Sequence, residues 1–250
     1  MDVLGVILAR GGSAGLKDKH LLPLLGRPVI TYTFEHARAA GRLTRAVVSS
    51  DCGEIRKLAE RCWFETIVRP AELATADASV QDVLLHALRT VESRSSSFRA
   101  DAVVVLYGNV PVRPDGVIDR AVETLEATGC DSVRSFCPVG KWHPAWMARL
   151  EDEDRVAALE KNSTHRRQDL APVYLHDGAV VAVRRESLLR GEQNPHDPHA
   201  FFGVDRRAVT TGMGQTVEID HQRDLFWAEA VLRDGERERD RAETLARIAS

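Results

Sequence analysis

The sequence predicts an α/β protein of the three-layer, Rossmann-like kind, with a mostly parallel sheet covered by helices on both faces. Three observations carry that expectation. Strand-like and helix-like runs alternate from the N-terminus to about residue 136, and repeated β-then-α order is what a helix-covered parallel sheet requires. One run, Ala102–Leu106, is apolar without interruption, as a strand buried on both faces must be. A chain of 250 residues with 44% hydrophobic content can also bury a core of that size in one domain.

The elements follow in order. Val3–Ala9 is an apolar run of strand length that stops abruptly at Arg10. Pro28–Ala40 has helical spacing, with Pro28 suited to a first turn. Ala46–Ser50 reads as a strand, and Cys52–Cys62 as a helix with Ile55, Leu58 and Ala59 along one face. Phe64–Val68 is a short strand, and Ser79–Val91 a helix carrying Val80, Val83, Leu84, Ala87 and Leu88 on one side. After Ala102–Leu106 come a helix over Gly116–Ala127 and a strand over Ser132–Phe136. The regularity then breaks: Gly140 to about His176 is polar and carries Trp142 and Trp146, which predicts an inserted arm within one domain spanning residues 1–250. Strand character returns at Gly178–Val183, and LRDGERERDRAETLARIAS at the end mixes charge signs as a solvated surface helix does.

Composition excludes several classes. A formal charge of −3 gives no global field for nucleic acid or an anionic membrane. No run of 18 apolar residues is present, and Val3–Ala9 is too short for a signal-peptide core, so no membrane span or leader is expected. Cys52, Cys62, Cys130 and Cys137 form no C-x-x-C pair and read as reduced, packed thiols of a cytoplasmic protein.

Chemistry concentrates where strands end, since ligands of such sheets bind beyond the carboxyl ends of strands. The loop ARGGSAGLKDK matches neither G-x-x-x-x-G-K-[ST] nor G-x-G-x-x-G. Gly11, Gly12 and Gly15 nevertheless let backbone amides approach an anion, and Arg10, Lys17 and Lys19 supply charge. That pattern points to a nucleotide phosphate, or else to a plain glycine-rich turn with solvated basic residues. Ser49, Ser50 and Asp51 follow a strand end and could face a ligand or cap the next helix. Arg69-Pro70 could meet a phosphate or form a surface turn, and Gly108 would let a substrate lie against backbone. In Val217-Glu218-Ile219-Asp220 the two carboxylates alternate onto one face. A cation between them, magnesium with nucleotide phosphates, would relieve their repulsion; a solvated strand face is the competing reading. His196 and His199 have ligand-like spacing, but Pro195 and Pro198 among them make a loop the expected reading rather than a metal site. Ser79 and the histidines offer no nucleophile–base arrangement, which argues against a covalent intermediate.

Taken together, five elements in order resemble the acylneuraminate cytidylyltransferases. ARGGSAGLKDKH is similar to that family's A-R-x-G-S-K-G-x-x-x-K-N, SSD to its S-S/T-D, and RPAELATADAS to its R-P-x-x-L-A followed by serine. RRQDLAPVYLHDGAVVAV is similar to its R-x-Q-x-L-P with N-G-A-x-Y, and EIDHQRDL to its D-I-D-x-x-x-D-L. The resemblance implies a nucleotidyltransferase fold with a dimerisation arm and a homodimer. It implies transfer of CMP from CTP to the anomeric hydroxyl of a sialic-acid-like keto-sugar acid with Mg2+, and no nucleic-acid or membrane partner.

By that resemblance Arg10, Ser13 and Lys19 would hold the triphosphate, with Ala9, Gly11, Gly12 and Gly15 around it, and Arg69 and Ser79 would lie near the cytidine. Tyr107, Gly108 and Asn109 stand in the family's base- and sugar-contacting segment, LYGNVPVR for L-Q-P-T-S-P-L-R. Asp220 with Glu218 would hold the metal, and Gln168, Asp177, Phe201 and Phe202 would contact the sugar acid; Arg10, Lys19 and Asp220 are the catalytic candidates. The departures are specific: Ala14 replaces the loop lysine, Lys17 stands at the usual proline, His20 replaces the closing asparagine, and Glu218 and Asp177 replace Asp and Asn. Another nucleotide or sugar, or a catalytically silent binder of either, remains open on those grounds.

Overall fold

The computed structural model of the chain describes residues 1–12, 15–194 and 196–249. In chain order the elements are β1 (Val3–Leu8), β2 (Pro23–Leu24), β3 (Arg27–Pro28), α1 (Val29–Ala39), β4 (Arg45–Ser50) and α2 (Gly53–Arg61). They continue with β5 (Glu65–Val68), α3 (Val80–Arg94), β6 (Ala102–Tyr107), α4 (Val117–Thr128) and β7 (Ser132–Pro138). Last come β8 (Ala148–Leu150), β9 (Val156–Ala158), β10 (Tyr174–Arg184), α5 (Arg185–Gly191), β11 (Arg206–Thr210) and α6 (Gln222–Ala249). Pro28 and Ser79 stand just before α1 and α3 rather than inside them, and the Ser79 hydroxyl caps α3 by accepting from the Asp82 amide at 3.0 Å.

Seven strands form the main sheet in the order β11-β7-β10-β6-β1-β4-β5. β1 pairs in parallel with both β4 and β6, and β4 with β5, which is the expected half of the sheet. β10 is antiparallel to both β6 and β7, and β11 returns parallel to β7. The alternation of side chains along each strand feeds two separate cores. Ile7, Val104, Leu106 and Ala182 face α1, α2 and α4 through Phe34, Ile55, Val122 and Leu125. Leu4, Val6, Val103, Val105 and Val181 face α3, α5 and the turn at 200–202 through Leu84, Leu88, Leu188 and Phe202. Each fully buried Leu, Ile or Phe contributes roughly 1.5–3 kcal/mol, so the layers are held from both sides of one sheet.

The arm's expected end is corrected. Tyr174, Leu175 and His176 already belong to β10, opposite Pro138, Cys137 and Phe136. The excursion therefore covers residues 140–173, short 3-10 turns around the small hairpin β8–β9. Besides the short pairs β2–β3 and β8–β9, two elements went unforeseen. α5 follows directly from the arginine pair 184–185, and β11 is a strand whose residues are mostly exposed, so its sequence lacks the apolar signature. The terminal helix starts at Gln222, earlier than its charged tail suggests; Leu225 and Ala228 anchor its first turns against Val112, Val217 and Ile219. Among the described residues no helix is long and apolar enough to cross a membrane.

Candidate functional site

β1, β4, β5 and β6 all end on one side of the sheet, and the segments leaving them build a crevice of about 660 Å³, its open mouth included. Its wall beside α3 is apolar, formed by Leu73, Ala76, Ala78, Val80 and Val83; Arg10, Lys19, Arg69, Tyr107, Asn109 and Glu218 supply the polar groups.

The glycine loop is shaped by its contacts. Gly15 lies so close to the last carboxylate segment that a Cβ there would sit 2.8 Å from the Asp220 carbonyl oxygen. Gly11 is not free to cradle an anion as expected, because its amide donates to Asp51 Oδ1 at 2.9 Å. That bond also settles Asp51: its carboxylate does not cap α2, and Ser50 Oγ instead accepts from the Cys52 amide. Gly12 is exposed with φ +63°. Ser13 and Ala14, the first a predicted phosphate contact, lie outside the described residues. Ala9 is buried, its amide donating to the Ser49 carbonyl, and so anchors the start of the loop outside the crevice lining.

Arg69 is buried at the end of β5, where its guanidinium donates to Ser49 Oγ at 3.2 Å and to the Ser49 carbonyl at 2.7 Å. Burial pulls its pKa down to about 10, with Asp51 opposing and Arg10 adding to the fall, so it stays cationic at neutral pH. His20 sits between these cations: burial first, then Lys19 and Arg69, lower its pKa to about 3 and leave it neutral. Gly108 is required beside it. A Cβ at residue 108 would lie 3.0 Å from His20 Cδ2, 3.1 Å from the Leu8 carbonyl oxygen and 3.2 Å from Ala9 Cβ.

Opposite the cations stand the carboxylates. Residues 217–220 form no extended strand, only a bridge between Val217 and Val112, yet the alternation holds: Val217 and Ile219 are buried while Glu218 and Asp220 face outward. Asn109 clamps this segment. Its carbonyl accepts from the Ile219 amide at 2.7 Å, and its Nδ2 donates to Glu218 Oε1, the Ile219 carbonyl and Asp220 Oδ1 at 3.1, 3.1 and 3.4 Å. Expected as a direct nucleotide contact, Asn109 thus spends its amide nitrogen on the acidic wall. Lys19 Nζ meets Asp220 Oδ1 at 2.6 Å. Although Glu218 as a residue is exposed, its carboxyl turns into the crevice; desolvation raises its pKa, with Asp220 adding repulsion and Asn109 opposing.

Two carboxylates on one face, one of them destabilised as an anion, make a hard-oxygen half-site that suits Mg2+ completed by phosphate oxygens and water. Among the described residues no three His, Cys, Asp or Glu side chains converge into a preformed metal cage.

The predicted sugar contacts are not brought together. Phe201 and Phe202 are 3% and 7% exposed and belong to the core under α3 and α5, because the chain turns inward against Gly191. Asp177 is satisfied internally: it accepts from Thr211 Oγ1 at 2.5 Å, Thr216 Oγ1 at 3.0 Å and the Ala179 amide at 3.2 Å. Burial opposes its ionisation, yet hydrogen bonds led by Ser135 and Thr211 outweigh it and hold the carboxyl below its ordinary pKa. Gln168 is exposed on the excursion, in the turn Arg167–Asp169. Ser79 spends its hydroxyl on the α3 cap while its neighbours Ala78 and Val80 line the crevice. His199 stacks on Phe202 with ring centroids 5.8 Å apart, a packing role rather than ligation.

Sequence reasoning overlooked Arg113. It is buried, and its guanidinium donates to the carbonyls of Val110 (2.6 Å), Tyr107 (2.7 Å) and Ala179 (2.8 Å) and to Thr33 Oγ1 (3.0 Å). His36 Nδ1 lies 3.1 Å away. Burial pulls its pKa down to about 9 against the pull of Glu218 and Asp177, so it remains charged and bolts the Tyr107–Arg113 turn that carries Asn109. The available signal was an arginine ending an otherwise apolar VPVR stretch.

The fold and crevice define a Rossmann-like α/β protein whose strand ends carry a cationic loop facing a pair of carboxylates. More narrowly, the chain belongs to the cytidylyltransferase family, whose model matches residues 4–205. It is 33% identical over 229 residues to an N-acylneuraminate cytidylyltransferase of Streptococcus agalactiae, covering 90% of this chain and 52% of that protein. The chain thus spans about half the length of this and other curated streptococcal relatives it matches. A pseudaminic acid cytidylyltransferase of Campylobacter jejuni is 29% identical over 229 residues, covering 90% of this chain and 97% of that one. Among solved structures, a CMP:2-keto-3-deoxy-manno-octonic acid synthetase complexed with CTP shares the fold with a TM-score of 0.71 at 18% identity, covering 94% of this chain and all of that one. The 4-diphosphocytidyl-2C-methyl-D-erythritol synthase of Anaerococcus prevotii gives 0.65 at 14% identity, covering 93% and 98%.

Proposed function

We propose that this protein transfers CMP from CTP to the anomeric hydroxyl of a sialic-acid-like keto-sugar acid. The hydroxyl oxygen forms a bond to the α-phosphorus, the α–β anhydride bond breaks, pyrophosphate leaves and the hydroxyl proton passes to solvent. The observation that carries this reading is the crevice itself: Arg10, Lys19 and Arg69 face Glu218 and Asp220 across it, with Asn109 fixing the carboxylates. Such a transfer needs positioning and charge neutralisation more than covalent chemistry from the protein. Arg10 and Lys19 hold the phosphates, and Asp220 with Glu218 holds Mg2+, which would neutralise phosphate charge. The apolar wall by Val80 and Val83 takes the base. The sequence relatives' names, N-acylneuraminate and pseudaminic acid cytidylyltransferase, support an acid of that class.

The excursion, with Trp142, Trp146, Met147, Leu150 and Val156 exposed, suits burial against a second copy, and we take the enzyme to be a homodimer. A nucleotide substrate and free thiols at Cys52, Cys62, Cys130 and Cys137 fit the cytoplasm.

The test is pyrophosphate release with Mg2+, crossing the four nucleoside triphosphates with a panel of eight- and nine-carbon keto-sugar acids. CTP with a nine-carbon acid is the expected pair, and Asp220→Asn is expected to abolish it while shifting Tm little, since the Asp220 side chain is half-exposed. Release with another triphosphate only would move the specificity to Tyr107 and its neighbours. Nucleotide binding without release under every pairing would refute the catalytic reading.

A further inference from the structure

A second cavity, of about 810 Å³ with its mouth included, opens on the sheet face beyond β10 and is lined by Arg134, Phe136, Tyr174, Arg206 and Thr210 among others. The Arg134 guanidinium lies 4.5 Å from the Phe202 ring centroid and 5.1 Å from that of Phe136. Arg206 approaches the same Phe202 ring at 5.9 Å. Neighbouring Arg207 is neutralised by Asp205, but Arg206 donates only to the Gly203 carbonyl, at 2.7 Å. Among the described residues neither Arg134 nor Arg206 meets a carboxylate. Two like charges converge on one aromatic ring; desolvation first and Arg206 second lower the pKa of Arg134. Beside them His176 Nε2 is buried without a hydrogen-bond partner, its ring edge-on to Phe136 at 5.8 Å. Cations held against aromatic faces without a carboxylate partner call for an anion.

The cavity is placed to serve the crevice. Arg134 stands opposite Val181 on β10, and Val181 stands opposite Val105 on β6. Two inter-strand spacings therefore separate Arg134 from β6, about 10 Å. Tyr107 lies two residues further along the same face of β6, lines the crevice, and feels the charge of Arg134. One molecule can reach from the Arg134 seat past Tyr107 to the nucleotide.

We propose that Arg134, assisted by Arg206, binds the carboxylate of the acceptor acid, with the Phe136 ring supporting the sugar's apolar face. This rests on the proposed transferase reading and names the acceptor's anchor within it. A guanidinium fork matches a carboxylate in two parallel hydrogen bonds, and its gain is largest where no internal acid competes.

The experiment is steady-state pyrophosphate release with CTP and the active acid, for wild type, Arg134→Met and Arg206→Gln. Methionine keeps an unbranched apolar stem over the two rings, and Arg206 is exposed, so neither change need disturb the core. The expected result is a KM for the acid raised about tenfold or more, with the KM for CTP within about twofold. The methyl ester of the acid supplies the second arm: wild type should discriminate against it, and Arg134→Met should not. An unchanged KM for the acid, or equal discrimination by the variant, overturns the proposal. If wild type turns over no acid at all, the transferase reading fails separately. The seat is then judged by calorimetric titration with N-acetylneuraminate. Binding lost in Arg134→Met supports it, and equal binding or none to wild type overturns it.

Discussion

Arg113→Met removes the bolt beneath the crevice, and its effect can be worked from the contacts. Three carbonyls, of Tyr107, Val110 and Ala179, lose a charged donor, each such bond contributing roughly 1.5–3 kcal/mol. Two offsets reduce that sum. Thr33 Oγ1 lies 3.2 Å from the carbonyls of both Tyr107 and Val110 and still offers its one proton to them. The cost of burying the guanidinium, visible in a pKa pulled down to about 9, is also recovered. The net expectation is a loss of about 3–5 kcal/mol, the range for breaking a buried charged network, and a fall in Tm of about 6–20 °C. The assay is urea unfolding followed by intrinsic fluorescence, with CTP affinity measured by calorimetry on the folded variant. Asn109, released from below, should hold Glu218 and Asp220 less firmly, so affinity in the presence of Mg2+ should fall as well. Arg113→Lys restores a charge but no fork and should fall between the two. A loss below about 1 kcal/mol with nucleotide affinity unchanged would refute the reasoning.

Two further outcomes follow from the same walls. His20 and His36 are neutral in the folded state, each with a pKa lowered to about 3 chiefly by burial, whereas both protonate near 6.5 when unfolded. The unfolded chain therefore binds more protons as the pH drops below 6.5, and stability is lost from there downward toward 3. At pH 5 each histidine should cost about 2 kcal/mol relative to neutral pH; unfolding free energies across pH 5–7.5 measure it, and His20→Asn should remove about half of this two-histidine contribution. An identical pH slope in the variant would contradict the buried, neutral assignment. Gly108→Ala places a methyl 3.0–3.2 Å from His20, Leu8 and Ala9, where Leu8 is fixed by β1 and Ala9 by its amide bond to Ser49. Overpacking of that kind costs about 1–3 kcal/mol, read by urea unfolding, and should weaken CTP binding by displacing the end of β1; a neutral substitution would show that the strand end yields freely.

The sequence by itself determined the parallel half of the sheet. Val3–Leu8, Arg45–Ser50 and Ala102–Tyr107 are apolar enough, and their intervening helices periodic enough, that local pattern and tertiary role agree. It also located the cationic loop and the late carboxylates, because glycines beside basic residues and same-face acids are local features with few structural uses. Tertiary structure decided the rest. That β10 runs antiparallel between β6 and β7 depends on where the excursion returns the chain, which no window of residues records. The exposed face of β11 hid it from apolar pattern. Phe201, Phe202 and Asp177 looked like ligand contacts because their residue types suit a sugar, but packing against Gly191 and hydrogen bonds from Thr211 and Thr216 claimed them first. Arg113 and Arg134 show the converse: an arginine's role is set by which carbonyls, rings and charges the fold brings around it, and those neighbours lie 66 and 68 residues away, at Ala179 and Phe202.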